Sequence, residues 1–581
     1  MIQVWQPLRA ARVWRVMGLM GVVLLVRVVA PQWMWVLLIG VCGALTWNLA
    51  TRLQADRTVR VIVLDGYVVR VGLALVLFAI SWWHLPIFPS LQSGSGFWQF
   101  SGDAAFYDDA ARQMVHAWAT GDAVHRFFWE RRFILWVSVI YAVVGPFALN
   151  AILVDVLVGS LTPLFGVSLL KQLTQDPRAH RMAALLLALW PSSCLWSAQL
   201  LKDPWLIAGV LIEIGLICRL GSLALSGQLF RHRTSSLVAA LLLVMVMAGV
   251  AMLREDLDPL VLVTTVVTTG LWMGRELWRG RLIALLTQWQ AAMFLGVLGL
   301  FGLLAIAVSA IDLVGSSAAG PSFEAWARYG RQAPNSVTNV CLVKLEQRII
   351  RSVGSRPALD PTELVREAVT AVQQDTKDRA GASTGPIDVD LLQRAAEEMV
   401  SVPHKYHRGV TSLSLSNQLK LVASHFFSNT VSSRLLTSLA RLNDRRMGYL
   451  DAGGVFVVDP QVRIDTPIGF LQYLPRALLH AMWSPVPTHW RGSGAPLYAV
   501  DLLLIYGLSP WLLLAFLRLW RMEQWQSLFL GSYLLFTMCL LGMIVANLGT
   551  LFRLRLMFLI PWLALLPLGF TRDPADEPHQ P

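Results

Sequence analysis

The stretch YVVRVGLALVLFAISWWHLPI, residues 67–87, decides the class of fold. It carries one arginine and no acidic residue, and its length is close to the roughly 20 apolar residues that cross a bilayer as a helix. Trp82 and Trp83 stand side by side near its end. Tryptophan is enriched where a membrane helix meets water. The sequence therefore predicts a transmembrane helix that ends at a membrane surface.

Similar apolar runs recur along most of the chain. Of its 581 residues, 55% are hydrophobic and 14% are charged, and its mean hydropathy is +0.56. A soluble protein of this length carries more charge, so we predict an all-α polytopic membrane protein. About 12 transmembrane helices are expected, at residues 14–30, 33–50, 67–87, 148–170, 182–200, 204–221, 236–253, 258–274, 282–311, 497–517, 526–546 and 553–570.

The distribution of basic residues predicts the orientation of these spans. Basic loops such as TRLQADRTVR and KQLTQDPRAHR favour the cytoplasmic side of a membrane. Both termini are then cytoplasmic, and the protein is predicted to be a multi-pass protein of the cytoplasmic (inner) membrane, in contact with its lipids. The net charge of +12 lies largely in these short loops rather than on a soluble face, so no nucleic-acid partner is expected.

Four regions are predicted along the chain. They are an N-terminal transmembrane hairpin with a cytoplasmic loop, a transmembrane core that includes outer loop 88–147, an outer soluble domain, and a C-terminal region: residues 1–66, 67–311, 312–465 and 466–581. The outer domain is polar, and segments such as DPTELVREAVTAVQQ predict that it is mostly helical. The C-terminal region opens with PIGFLQYLPRALLHAMW, which Pro475 and Arg476 interrupt. We predict that this segment lies in the membrane interface.

The outer loop contains SGDAAFYDDAARQM, residues 101–114, which predicts an amphipathic helix on the membrane surface. Its apolar residues recur every fourth position, at Phe106, Ala110, Met114 and Trp118. Asp108 and Asp109 are expected to point away from the membrane. Asp103 stands at the start of the helix, where it is either a functional carboxylate or a cap for free backbone N–H groups.

Two more outer turns carry acidic residues. LLKDPW contains Lys202 and Asp203, and REDLDP contains Arg254 and Asp258. Each aspartate precedes a proline, which suits the first position of a helix, so a structural role is an alternative for both. Three separate turns nevertheless bring carboxylates to one predicted membrane face, which favours a functional site there.

The residues GDAAFY and LKDP, in this layout over residues 67–311, resemble membrane glycosyltransferases of the GT-C fold. The nearest resemblance is to the bacterial type that uses polyprenyl-phosphate sugars and is related to protein mannosyltransferases. The resemblance implies a GT-C-like bundle that transfers a sugar, as a hexosyltransferase does, from a polyprenyl-phosphate donor to a glycan, lipid or protein acceptor outside the membrane. This chain has Gly-Asp-Ala where an Asp-Glu pair is frequent in the family.

Such a transfer needs a base and a cation. A positioned carboxylate removes the proton of the acceptor hydroxyl, and we assign this role to Asp103. Asp203 either steers the acceptor or helps to bind a divalent ion, the one cofactor that the sequence suggests. Tyr107 either orients the base or sugar or anchors the helix at the interface. Candidates for stabilising the departing phosphate are Lys202, Arg254, Arg553 and Arg555.

NLGTLFRLRLMF places Arg553 and Arg555 at the outer end of the last predicted span. Cations are disfavoured on the outer side of a membrane, and binding of an anionic lipid phosphate would explain why these two are there. Arginine binds phosphate oxygens through two parallel N–H donors. Residues two apart on a helix diverge by about 200°, so only one of the pair should face the site. Snorkelling to lipid headgroups is the alternative for both.

Other functions remain open on the sequence. An enzyme resembling O-antigen polymerases or ligases is one, because those also carry a large outer loop late in the chain. A transporter or flippase of lipid-linked saccharides is another, and Arg27, Asp65 and Asp155 in or near the spans are candidates for its polar pathway. Of these, Asp155 is expected to face the bundle interior. A transporter should also show repeated halves or broken spans, and neither is clear in the sequence.

Overall fold

The fold is taken from a computed structural model of the chain. The structure describes residues 31–53, 55–121, 132–226, 231–253, 457–464, 466–484, 495–522 and 525–570, with isolated residues outside these ranges. The chain divides into two compact units. The first comprises Met1–Leu303 and Gly454–Pro581, and the second, Leu304–Gly453, lies almost wholly outside the described residues.

Nearly all regular structure in the described ranges is helical. The helices are α1 Met34–Arg52, α2 Arg57–Trp82, α3 Gly102–Thr120, α4 Arg132–Val144, α5 Ala148–Leu170, α6 Pro177–Leu189, α7 Pro191–Ser197, α8 Asp203–Leu225, α9 Arg233–Leu253, α10 Pro467–Trp483, α11 Ala495–Arg521, α12 Trp525–Ile544 and α13 Leu548–Leu565. A short antiparallel hairpin, β1 Gln92–Gly94 with β2 Phe97–Trp98, lies between α2 and α3.

Seven helical segments among the described residues are long and apolar enough to cross a membrane. They are Pro31–Arg52, Arg57–Trp82, Ala148–Leu170, Asp203–Ala224, Ala499–Arg521, Trp525–Ile544 and Leu548–Gly569. The prediction of a helical, polytopic membrane protein is confirmed to this extent. The predicted spans at 258–274 and 282–311, and most of the one at 14–30, lie outside the described residues.

Two predicted spans begin well before their expected first residues. The helix expected at 67–87 begins ten residues earlier, at Arg57, because the polar turn before it is short and Arg57 and Arg60 continue the helix. The helix expected at 553–570 begins at Leu548. Asn547 starts it by accepting hydrogen bonds from the backbone N–H groups of Gly549 and Thr550 at 3.0 and 3.3 Å.

The span predicted at 182–200 is not one helix. The chain forms α6 and then α7, with a break at Pro191. Proline lacks a backbone N–H and its ring clashes with the preceding turn, so it ends a helix and can begin a new one. The sequence did not indicate a broken span clearly, and the structure contains one.

The β hairpin fixes the start of α3 against α2. Gly96 has φ +87°, and a Cβ added there would lie 2.3 Å from the ring of Phe78. Only glycine therefore fits at this contact. Ser81 Oγ donates to Phe97 O at 2.6 Å, and Trp98 Nε1 donates to Leu77 O at 3.0 Å. These contacts hold the chain that leads into Asp103.

Helix α3 is amphipathic, but its buried face differs from the predicted one. The buried residues are Ala104, Tyr107, Asp108, Ala110, Ala111 and Met114, whereas Trp118 is exposed. Asp108 was expected to point outward, and this was wrong. It accepts hydrogen bonds from Tyr141 Oη and from Arg112 Nε, the latter at 2.9 Å, and these partners allow its burial.

Helix α10, predicted to lie in the membrane interface, ends inside the bundle. Arg555 Nη1 donates to Ser484 O, and Tyr506 Oη donates to Trp483 O, both at 2.7 Å. A Cβ at Gly542 would lie 1.9 Å from Ala477 O, so α10 and α12 are in direct backbone contact. The helix therefore runs through Pro475 and packs among other helices, because partners from α11 and α13 satisfy its last carbonyls.

The bundle has two chemically different ends. At one end α5, α8 and α13 begin and α2, α9 and α12 end, and the acidic residues Asp103 and Asp203 lie there. At the other end the salt bridge between Arg181 and Asp56, 3.0 Å, joins the α1–α2 turn to the start of α6. Basic residues gather at that second end: Arg52, Arg57, Arg60, Lys171, Arg178, Arg181, Arg518 and Arg521.

Candidate functional site

One arginine joins two of the predicted carboxylates. Arg553 Nη1 donates to Asp103 Oδ2 at 2.8 Å. Its Nε donates to Asp203 Oδ2 at 2.8 Å, and its Nη2 lies 2.7 Å from the same oxygen. Asp103 is 450 residues and Asp203 350 residues from Arg553 along the chain. The fold therefore brings together three site residues that come from three separate segments.

Each of the three side chains sits near the start of a helix. Asp103 and Asp203 lie in the first turns of α3 and α8, and Arg553 lies in the second turn of α13. The positive end of a helix dipole stabilises a nearby carboxylate, which suits both aspartates. Three helices thus begin around one ion-pair cluster, which we call the Arg553 cluster: Asp103, Asp203 and Arg553.

The two carboxylates of the Arg553 cluster differ in exposure. The side chain of Asp103 is 54% exposed, whereas that of Asp203 is 1% exposed. A buried carboxylate needs a charged partner, and Arg553 gives Asp203 two contacts. Asp203 Oδ1 is buried and has no hydrogen-bond partner among the described residues. Asp203 therefore anchors Arg553 from inside, and Asp103 is the exposed carboxylate of the pair.

Asp155, expected to face the bundle interior, is buried beside this cluster. Its carboxylate accepts from Leu201 N at 3.0 Å and from Trp205 Nε1 at 2.7 Å. These two partners flank Lys202 and Asp203, so Asp155 holds the turn that leads into α8. Asp65, named with it as a candidate for a polar pathway, is exposed on α2.

The other predicted site residues have these partners among the described residues. Lys202 Nζ donates to the carbonyl of Leu253 at 3.4 Å. Tyr107 is buried between α3 and α4, where its ring packs edge-on against Phe133 with 4.8 Å between ring centroids. Arg254 lies outside the described residues.

Arg555 faces a different part of the bundle from Arg553, as the helix period predicts. It is buried, and it donates to the carbonyls of Ser484 and Met482 at 2.7 and 3.4 Å. Its guanidinium also stacks on the ring of Phe552, 4.8 Å from the centroid. The alternative of snorkelling to headgroups does not apply to Arg555, because the carbonyls at the end of α10 are available inside the bundle.

A second polar cluster surrounds the break between α6 and α7, and the sequence reasoning did not identify it. Arg70 donates to Ala188 O and Leu187 O at 2.5 and 3.1 Å, which satisfies carbonyls that the end of α6 leaves free. Asp501 accepts from Ser192 N and from Trp190 Nε1, both at 3.1 Å. The break therefore has a cation at its carbonyl side and a carboxylate at its N–H side. Two features of the sequence could have indicated this cluster, namely Pro191 within an apolar run and charged residues inside predicted spans.

The described part of the chain offers little for a metal ion. No three side chains of histidine, cysteine, aspartate or glutamate come together there as potential ligands. Asp203, the residue suggested for a divalent ion, directs its Oδ2 atom at Arg553. The Arg553 cluster provides an exposed carboxylate, Asp103, next to a cation, Arg553. The buried carboxylate of Asp203 holds Arg553 in place.

Comparisons with known proteins found no similar protein. No protein-family model, no curated protein and no solved structure matches this chain.

Proposed function

We propose that this chain is an integral membrane glycosyltransferase of GT-C type. It transfers a sugar from a polyprenyl-phosphate donor to a glycan, lipid or protein acceptor on the outer face of the cytoplasmic membrane, in the synthesis of envelope polysaccharide or glycoconjugate. The observation that supports this proposal most is the Arg553 cluster, in which an exposed carboxylate and a buried carboxylate share one arginine.

In this proposal Arg553 binds the phosphate of the donor. A guanidinium carries five N–H donors, and it pairs with phosphate oxygens in a fixed two-pronged geometry. Asp203 holds the Nε and Nη2 side of Arg553, while the contact of Nη1 with half-exposed Asp103 is open to exchange. The arriving phosphate takes the place of Asp103 on Nη1, and the carboxylate of Asp103 is released next to the bound sugar.

The released Asp103 then acts as the general base. It accepts the proton of the acceptor hydroxyl while that oxygen bonds to the anomeric carbon of the sugar. The bond between the anomeric carbon and the phosphate oxygen breaks, and its electron pair leaves with polyprenyl phosphate. Arg553 stabilises this departing anion. Attack opposite the leaving group inverts the anomeric configuration.

The orientation that we propose follows from the two ends of the bundle. Basic residues favour the cytoplasmic side of a membrane. The end that carries Arg52, Lys171 and Arg521 is then cytoplasmic, and the end with the Arg553 cluster faces outward. Both termini are cytoplasmic in this arrangement.

Cysteine labelling tests the orientation. Gln113 on α3 and Gln175 before α6 are both exposed, and they lie at opposite ends of the bundle. In a background with Cys341 changed to serine, we expect Gln113→Cys to react with a membrane-impermeant maleimide added to intact cells. Gln175→Cys should react only after permeabilisation. The four native cysteines in the described ranges are buried and should stay unlabelled. Labelling of Gln175→Cys in intact cells would reverse the proposed orientation.

Release of the carrier lipid tests the function. Membranes that contain the full-length protein and the endogenous acceptors are given polyprenyl-phosphate hexoses labelled in the sugar. We expect release of polyprenyl phosphate together with transfer of label to a non-donor product, both dependent on the protein. If the donor stays intact in every membrane preparation, the proposal is wrong.

A second candidate function has one observation in its favour. A transporter or flippase often places broken helices and buried charges within the bundle, and the break at Pro191 with Arg70 and Asp501 is such an arrangement. The same labelled donor separates the two candidates. A flippase moves it across the bilayer with the sugar–phosphate bond intact, whereas the proposed enzyme breaks that bond. An enzyme of the O-antigen polymerase or ligase kind would differ from the first candidate only in its glycan acceptor.

A further inference from the structure

Three side chains form a hydrogen-bonded series that the proposed sugar transfer does not use. Asp459 Oδ2 lies 3.0 Å from His480 Nε2, and His480 Nδ1 lies 3.1 Å from Ser484 Oγ. A carboxylate only accepts hydrogen bonds, so Nε2 carries the ring proton. When the ring is neutral, the lone pair of Nδ1 accepts the hydroxyl proton of Ser484. This is the order of a nucleophile, a base and a residue that orients the base.

The carboxylate at the end of the series is held firmly. Asp459 is buried and has φ +50°, a left-handed conformation that is uncommon outside glycine. Tyr473 Oη donates to it at 3.0 Å, and Arg476 forms a salt bridge with its other oxygen. Both partners come from the same helix, α10, as His480. These contacts therefore fix the loop around Asp459 against α10, the helix that carries His480.

The hydroxyl end is held as well. Ser484 directly follows α10, and its backbone N–H donates to His480 O at 3.0 Å. Its carbonyl accepts the hydrogen bond from Arg555 at 2.7 Å. With its backbone bound on both sides, Ser484 keeps Oγ next to Nδ1 of His480. In serine proteases the carboxylate faces Nδ1 and the serine faces Nε2. Here the two nitrogens exchange roles, and the proton still passes from the serine to the imidazole nitrogen that faces it.

We propose that Ser484, His480 and Asp459 form a second catalytic centre that cleaves carboxylic esters of membrane lipids. Ser484 is only 3% exposed, so its substrate has to reach it from within the bundle or its lipid-facing side rather than from bulk water. Helix α10 has a largely exposed row of apolar side chains, Ile468, Leu471 and Leu479, and Leu479 directly precedes His480 in the chain. A surface of this kind suits the acyl chain of a lipid ester.

The reaction needs only the lipid ester and a hydroxyl compound, either water or an alcohol. Ser484 Oγ bonds to the ester carbonyl carbon while His480 Nδ1 takes its proton. The carbon–alkoxy bond then breaks, and the alkoxide takes the proton from Nδ1 as the alcohol leaves. Water or a second alcohol attacks the acyl-serine by the same path. The acyl group leaves as a free acid or as a new ester, and Ser484 regains its proton.

A fluorophosphonate probe tests this centre in the full-length protein in lipid nanodiscs. An activated serine oxygen bonds to the phosphorus of the probe and fluoride departs. We expect one adduct, on the peptide that contains Ser484. The adduct should be absent in Ser484→Ala, and His480→Gln should slow its formation about 100-fold or more, as loss of a general base predicts. Ser509→Ala is the matched control and should be labelled like the wild type. Ser509 lies on α11 beside Trp483 of α10, and its hydroxyl donates to the carbonyl of Ile505 at 2.7 Å rather than to a base.

The wild type alone decides the outcome if the variants fail to fold. Prolonged incubation that leaves Ser484 unmodified in folded wild-type protein would overturn the proposal. Labelling of a folded His480→Gln variant at the wild-type rate would also overturn it, because a hydrogen-bonded series with only a structural role does not activate the serine. Thermal melting of each variant shows whether it is folded.

Discussion

Asp103→Asn is expected to abolish sugar transfer while the protein stays folded. Asparagine keeps the size of the side chain and can still accept a hydrogen bond from Arg553, but it cannot take a proton from the acceptor. Loss of a general base typically costs a factor of about 10² to 10⁴ in rate. Because Asp103 is half exposed, its ion pair contributes only about 1 kcal/mol or less to stability. The measurement is release of polyprenyl phosphate, together with the thermal midpoint.

The matched control for this variant is Asp109→Asn. Asp109 lies two turns further along α3, and its carboxylate accepts from Gln113 at 2.8 Å. The change in charge and size is the same, so we expect near wild-type turnover. Equal turnover in Asp103→Asn and Asp109→Asn would contradict the assignment of Asp103 as the general base. A large fall in the thermal midpoint of Asp103→Asn would instead indicate that the ion pair of Asp103 with Arg553 has a structural role.

Arg553→Ala is expected to lose both donor binding and stability. It removes the cation that we assign to the phosphate, and it leaves the buried carboxylate of Asp203 without a charged partner. Breaking a buried ion pair from one side costs about 3–5 kcal/mol. We therefore expect low yield, a lower free energy of unfolding in denaturant titration, and no release of polyprenyl phosphate.

A double variant separates the two losses. Arg553→Ala with Asp203→Asn removes the uncompensated charge, so much of the stability should return while donor binding stays lost. Asp203→Asn alone should weaken the hold on Arg553 and so lower both turnover and stability. Wild-type turnover in the stable double variant would contradict the role of Arg553 in donor binding.

Arg555→Ala is the comparison from the same helix. The sequence predicted that only one arginine of the pair would face the site, so a change of the other was expected to have little effect. Burial of Arg555 revises the second half of that expectation, because its removal leaves the carbonyls of Met482 and Ser484 without their donor. We expect Arg555→Ala to lower stability and to leave the affinity for the donor near that of the wild type once the protein is folded.

Long apolar runs were predicted best. Helix α5 begins and ends where the sequence placed it, at residues 148 and 170. The divergence of Arg553 and Arg555 was also predictable, because the 3.6-residue period of a helix depends on local geometry alone. The position of Asp155 in the bundle interior followed from the cost of exposing a carboxylate to lipid.

Local patterns failed where a distant partner changed the outcome. Asp108 reads as a surface carboxylate, yet Tyr141 and Arg112 allow it to be buried. PIGFLQYLPRALLHAMW receives hydrogen bonds from Arg555 and Tyr506 at its last carbonyls, which the sequence did not indicate, while its interfacial position stays a prediction. The apolar run around Pro191 reads as one span, and Arg70 and Asp501 stabilise its division into two helices.

The sequence by itself determined that the chain is a helical membrane protein and which turns carry carboxylates and arginines. Hydrophobicity and helix period act over neighbouring residues, so both can be read along the chain. Only the tertiary structure decided that Arg553 joins Asp103 to Asp203, that Asp203 is buried, and that His480 lies between Asp459 and Ser484. These contacts depend on distances between segments far apart in the chain, and in a low-dielectric interior each polar group takes whichever partner the fold brings within reach.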